Sequence, residues 1–183
     1  DMLEYTTGIF TDDPEVLQMA GERTYDLGII DLQISEFMKL AIAAFEKILQ
    51  LTDKELKPDE YAKAQNYLGQ SYWRLSKVQD TLENCRISVG FFNEILSRIS
   101  IENNPFEYAR IKNRIGNAFT TFAEIENRVD NCTIAIDAYR EALKVFSIDD
   151  NPQDYARAYN NLGGAYLILA EAKDQAANYK MAI

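Results

Sequence analysis

Histidine is absent from this chain, and cysteine occurs twice in 183 residues. The first absence removes the commonest general base and the commonest transition-metal ligand, so no enzyme chemistry, metal or cofactor is expected. Two cysteines make no disulfide framework, and a reducing cytoplasm is the expected compartment. Glycine (8) and proline (4) are also scarce, which favours long helices over loop-rich folds. No apolar run reaches the length of a membrane span; the best one, Leu40 to Phe45, meets Glu46 and Lys47 at once. Positive charge is in deficit, with 19 Lys and Arg against 29 Asp and Glu and a net charge of −10. That balance argues against nucleic acid and against an anionic membrane as partners. The opening residues Asp1 to Glu4 form no signal peptide, and a start without Met reads as a processed or excised fragment.

What is present is a repeat. Pro58-Asp-Glu-Tyr-Ala62, Pro105-Phe-Glu-Tyr-Ala109 and Pro152-Gln-Asp-Tyr-Ala156 recur at a step of 47. The same step relates Asn66, Asn113 and Asn160, then Gly69, Gly116 and Gly163, then Tyr72, Phe119 and Tyr166, and finally Phe45, Phe92 and Tyr139. One more step back places Tyr25 under Tyr72. The expected boundaries are 11–57, 58–104, 105–151 and an incomplete 152–183, with residues 1–10 as a lead-in; all of it forms one domain. Each repeat reads as two helices. Asn104-Pro105 and Asn151-Pro152 look like N-caps followed by proline in the first turn. Tyr61, Ala64, Leu68, Tyr72 and Leu75 fall at steps of three and four and form one apolar stripe. A break near Lys77 to Asp80 precedes a second helix carrying Ile87, Phe91, Phe92, Ile95, Leu96 and Ile99. Neither helix can bury its stripe alone, so the expected fold is all-α, a superhelical solenoid of antiparallel helix pairs.

These residues resemble the tetratricopeptide repeat. Leu68-Gly69…Tyr72 followed by Ser88…Phe92…Ile95-Leu96 matches the family's Leu-Gly…Tyr and Ala…Phe/Tyr…Ala-Leu. The third repeat has Ile115-Gly116…Phe119, then Ala135…Tyr139…Ala142-Leu143, and the fourth Leu162-Gly163…Tyr166. The period exceeds the family's usual length of about 34, so the chain is similar to the elongated variety in archaeal and bacterial multi-repeat proteins. Gln65, Lys112 and Tyr159 stand where the family often has Trp, and Gly21-Glu22 replaces Leu-Gly in the first repeat. The resemblance implies that the first helix of each repeat lines a concave groove. Asn and basic residues there would hold an extended or carboxylate-terminated peptide.

Opposite the apolar stripe of the second repeat lie Lys63, Tyr67, Gln70 and Arg74, with Asn66 at the edge. A step of 47 gives Arg110, Asn113, Arg114 and Asn117, then Arg157, Asn160 and Asn161. An amide both donates and accepts along a peptide backbone, and Lys or Arg grips a carboxylate. These residues are therefore the candidate peptide site. An ordinary solvated face, with the asparagines bonding between repeats, is the plainer reading. Asn84, Asn131 and Asn178 form a second column in the outer helices, which reads as structural. Cys85 and Cys132 share a column with Met38 and Tyr179 and read as inert packing residues. Gly69, Gly116 and Gly163-Gly164 read as points of close helix approach. The expected function is a protein-interaction module with a protein or peptide partner; a regulatory or sensory domain of a larger enzyme or signalling effector is the alternative. The incomplete last repeat leaves Tyr159, Leu162, Tyr166 and Leu169 partly unsheltered, a route to self-association.

Overall fold

A computed structural model of the protein describes residues 11–30 and 34–181, with side chains at 11–26 and 35–173. Among these residues there are seven helices and no strand. They are α1 (Pro14–Ile30), α2 (Ile34–Leu51), α3 (Pro58–Leu75), α4 (Thr81–Leu96), α5 (Pro105–Ile125), α6 (Arg128–Leu143) and α7 (Pro152–Met181). The chain divides into two compact units, Asp1–Ile95 and Leu96–Ile183. The lead-in 1–10 and the pair Ala182-Ile183 lie outside the described residues.

In the first unit α2 is the central element, packed against α1 and α3. Its Phe37, Met38, Ala41, Ile42, Phe45 and Ile48 recur at steps of one, three and four and are all buried. They join Leu17 and Tyr25 of α1 with Ala64, Leu68 and Leu75 of α3 in one cluster. Each large side chain buried there contributes about 1.5–3 kcal/mol of transfer free energy. The second unit builds the equivalent layer from α5, α6 and α7. Ala135, Ile136 and Tyr139 of α6 meet Ala165 of α7, with Phe119, Leu162 and Leu169 packed alongside.

Gly21, Gly69 and Gly116 admit aromatic rings, whereas nothing stands within 4 Å of a Cβ on Gly163 or Gly164, against the close helix approach expected there. A Cβ on Gly69 would lie 2.5 Å from the Phe92 ring, and one on Gly116 would lie 2.5 Å from the Tyr139 ring. Such contacts exclude any side chain, as the sequence pattern predicts. In the first repeat the glycine sits one residue early: Gly21 receives Phe45, and a Cβ there would stand 2.8 Å from the ring. The replacement of Leu-Gly by Gly21-Glu22 thus keeps the notch and moves it by one position.

The connections repeat too. The N–H groups of Lys57, Asn104 and Asn151 donate to the carbonyls of Asp53, Ser100 and Ser147 at 2.9, 3.0 and 3.0 Å. Asn104 Oδ1 accepts from the Glu107 N–H at 3.4 Å, the expected cap. Asn151 departs from that pattern, because its Oδ1 is buried without a hydrogen-bond partner among the described residues. The break between α5 and α6 is made by Asn127, and that between α3 and α4 ends on Asp80.

The fourth repeat differs from expectation. The position equivalent to Asp80 and Asn127 is Asp174, and α7 runs through it to Met181 as one 30-residue helix. Breaking a helix forfeits backbone hydrogen bonds, and a new short segment must repeat the unfavourable nucleation step. Leu162 and Leu169, expected to be partly unsheltered, are half-buried against the α6 cluster, and Tyr159 and Tyr166 are exposed.

Candidate protein-binding faces

In the first unit the predicted face of α3 turns toward α1. Lys63 Nζ forms an ion pair with Glu22 at 2.7 Å, and Gln18 Nε2 donates to the same carboxylate at 2.6 Å. Burial pushes the Glu22 carboxyl up, but the hydrogen bonds from Lys63 and Gln18 and the Lys63 charge outweigh it, so its pKa lies below the ordinary value. Tyr67 stacks on Phe45 with ring centroids 4.7 Å apart and meets the edge of Tyr25 at 5.4 Å. The Tyr25 hydroxyl donates to Gln70 Oε1 and accepts from Arg74 Nε, both at 3.0 Å. Gln70 Nε2 reaches Asn66 Oδ1 at 3.3 Å. Lys63, Asn66, Tyr67, Gln70 and Arg74 are therefore brought together, as a polar seam holding α3 to α1.

Beside that seam lies an open cleft of about 660 Å³ at the N-terminal ends of α1 and α3. Pro14, Met19 and Ile48 supply its apolar lining; Asp13, Glu15, Gln18, Lys57, Glu60 and Lys63 supply its polar one. Ile48 is buried and anchors the floor, while Met19 is 60% exposed. Lys57 pairs with Glu60 at 3.0 Å at the surface. Among these only Lys63 belongs to the face expected to bind; Glu60 lies in the proline-led motif of the second repeat, and the others belong to the first repeat and the connection, where the 47-residue pattern is weakest.

In the second unit Asn117 Oδ1 accepts from Asn161 Nδ2 at 2.9 Å and from the Tyr139 hydroxyl at 2.8 Å. This arrangement ties α5 to α7 and α6. Burial raises the Tyr139 phenol, so it stays a neutral donor. Arg114 lies 3.8 Å from Glu107 with its side chain mostly covered. Asn113 is only 8% exposed, and its Oδ1 has no hydrogen-bond partner among the described residues. Asn160 is exposed. Arg157 is exposed and pairs with Asp154 at 3.2 Å. Arg110 is exposed, with no ion-pair partner shown among the described residues.

The two ladders thus behave differently. The cations Lys63, Arg110 and Arg157 all reach solvent, whereas Asn66, Asn113 and Asn160 occupy half-buried, buried and exposed settings. The outer amides have the structural role expected of them. Asn84 Nδ2 donates to the Gln79 carbonyl and Asn131 Nδ2 to the Glu126 carbonyl, each at 2.7 Å. Asn178 lies where side chains are not described. Cys85 and Cys132 are buried thiols outside any disulfide, and the Cys85 thiol donates to Ser76 Oγ at 3.2 Å. Among the described residues no group of three His, Cys, Asp or Glu could hold a metal ion, and no helix is long and apolar enough to cross a membrane. No protein-family model matches the chain, and no curated protein matches it.

Proposed function

We propose that this chain is a non-catalytic protein-interaction module, a tetratricopeptide-like solenoid that holds an extended peptide segment on the inner helices of its repeats. The observation that carries the reading is the cleft at the starts of α1 and α3, which Ile48, Pro14 and Met19 line together with Lys57 and Lys63. Apolar lining with a few placed polar groups is how binding sites combine affinity with orientation. The lysine amines are already paired with Glu60 and Glu22. A ligand carboxylate would exchange with those partners at the surface, where each such pair contributes only about 0–1 kcal/mol. In the second unit, exposed Arg110, Arg157 and Asn160 offer the same chemistry to a ligand's carboxylates and backbone. Buried thiols that form no disulfide fit residence in the cytoplasm.

The test is selection of binders from a displayed peptide library on the immobilised chain, followed by titration of the winners. Lys57→Glu with Lys63→Glu should weaken them by about ten-fold or more, the equivalent of about 1.4 kcal/mol. Unchanged affinity, with helicity intact, would remove the cleft from the account.

A further inference from the structure

The face of α7 centred on Gly163 has an equivalent within the same unit. On α5 the residues Ala109, Gly116 and Ala123 are buried, and the Tyr139 ring of α6 fills the notch at Gly116. A step of 47 leads to Ala156, Gly163 and Ala170 on α7, and all three are exposed. Nothing stands within 4 Å of a Cβ placed on Gly163. Around it Tyr159 is 50% exposed, Tyr166 41% and Leu167 69%. At 100° per residue these side chains lie within about 60° of Gly163. The opposite face of α7 is occupied, with Ala158 and Ala165 buried and Leu162 and Leu169 packed against the unit's core. One side of α7 is therefore built to the same plan as the covered side of α5; Arg140 of α6 reaches the Tyr166 hydroxyl and lies 5.9 Å from its ring centroid, while the notch at Gly163 stands open.

The stripe is nearly symmetric about Gly163, with Asn160 as the counterpart of Tyr166. Ala156 and Ala170 stand seven residues either side of Gly163, and Tyr159 and Leu167 stand four either side. The succession Ala156, Tyr159, Gly163, Tyr166, Ala170 also alternates steps of three and four, the spacing of a helix that lies along another helix. A two-fold interface must be self-complementary, meeting its own residues in reverse order. Charge is arranged about a centre one residue away. Arg157 and Glu171 are both exposed and lie on one flank of the stripe, with Gly164 at their midpoint. Two antiparallel copies would set each Arg157 beside the other's Glu171.

We infer that the occupant of this face is a second copy of the chain, its α7 laid antiparallel on the first across a two-fold axis at Gly163. The small residues let the two helices approach closely, and the rings of Tyr159 and Tyr166 from each copy supply the aromatic cover that Tyr139 gives Gly116. Phe45, Phe92 and Tyr139 are already seated in their own notches, so a second copy reaches this face with α7 itself. The stripe is short, which places the dimer among small, exchanging interfaces of micromolar rather than nanomolar strength. This face is separate from the cleft of the first unit, so the dimer stands or falls independently of peptide binding there.

Sedimentation equilibrium of the whole chain, from low micromolar to millimolar, tests the inference. A dimer mass should emerge as concentration rises, and Leu167→Glu, at an exposed position, should hold the chain monomeric with unchanged helicity. Mild oxidation gives the geometry: Gly163→Cys should cross-link to itself, while Ala156→Cys should cross-link to Ala170→Cys and not to itself. A monomer at every concentration, a dimer untouched by Leu167→Glu, or self-linking of Ala156→Cys would each overturn it.

Discussion

Asp80 and Asn127 stand 47 residues apart and share one backbone conformation, left-handed, with φ of 44° and 47°. Each follows a residue whose carbonyl accepts an amide from five positions further along, Asn84 at Gln79 and Asn131 at Glu126. Asp and Asn tolerate this conformation better than other side chains, and a β-branched residue does not. Asn127→Val should therefore cost about 1–2 kcal/mol, and Asn127→Gly should be neutral or mildly stabilising, as read by urea unfolding. Equal effects of the two substitutions would contradict the left-handed assignment.

The glycine column separates into two classes with opposite expected outcomes. Gly116→Ala forces a methyl group into the Tyr139 ring and should destabilise by about 1–3 kcal/mol. Gly163→Ala meets open space in mid-helix and should stabilise by about 0.5–1 kcal/mol. Thermal or chemical unfolding at low protein concentration separates them.

The Glu22–Lys63 pair sets a pH signature. The carboxyl has its folded pKa below the unfolded value, so its contribution to stability is present above the unfolded pKa and is lost as pH falls through the folded one. Lys63→Met should move the Glu22 titration upward, as observed by carboxyl carbon NMR. It should also flatten the acid limb of the stability profile. Because the pair is partly solvated, the effect on stability at neutral pH should be small. A Glu22 titration that does not move would show that Lys63 is not its partner in solution.

Much of the fold was legible because one physical device is used repeatedly. A proline opens each of α3, α5 and α7, a helical glycine takes an aromatic ring at Gly69 and Gly116, and a left-handed residue closes the first helix of two repeats. Each leaves a residue type at a fixed step. The shifted notch at Gly21 was harder to read, since a displacement of one residue breaks the column while preserving the contact. The continuous α7 was not legible at all. Lys173-Asp174 and Asn178 carry the marks of the break seen at Gln79-Asp80 and Asn84, yet the helix runs through them. The candidate site was legible as a set of side chains. What they bond was not, because Gln70, Arg74 and Asn117 engage Tyr25, Tyr139 and Asn161 across helices that sequence spacing does not bring together.

The most direct test of the binding role is a map of where a peptide lands. Peptides selected on the chain would be titrated into isotope-labelled protein while backbone and methyl shifts are followed. The account predicts saturable changes at Gln18, Met19, Ile48, Lys57 and Lys63, with the methyls of Met19 and Ile48 moving most. Changes confined to α4, or to parts of α2 away from Ile48, or no selected peptide that perturbs the cleft, would contradict it.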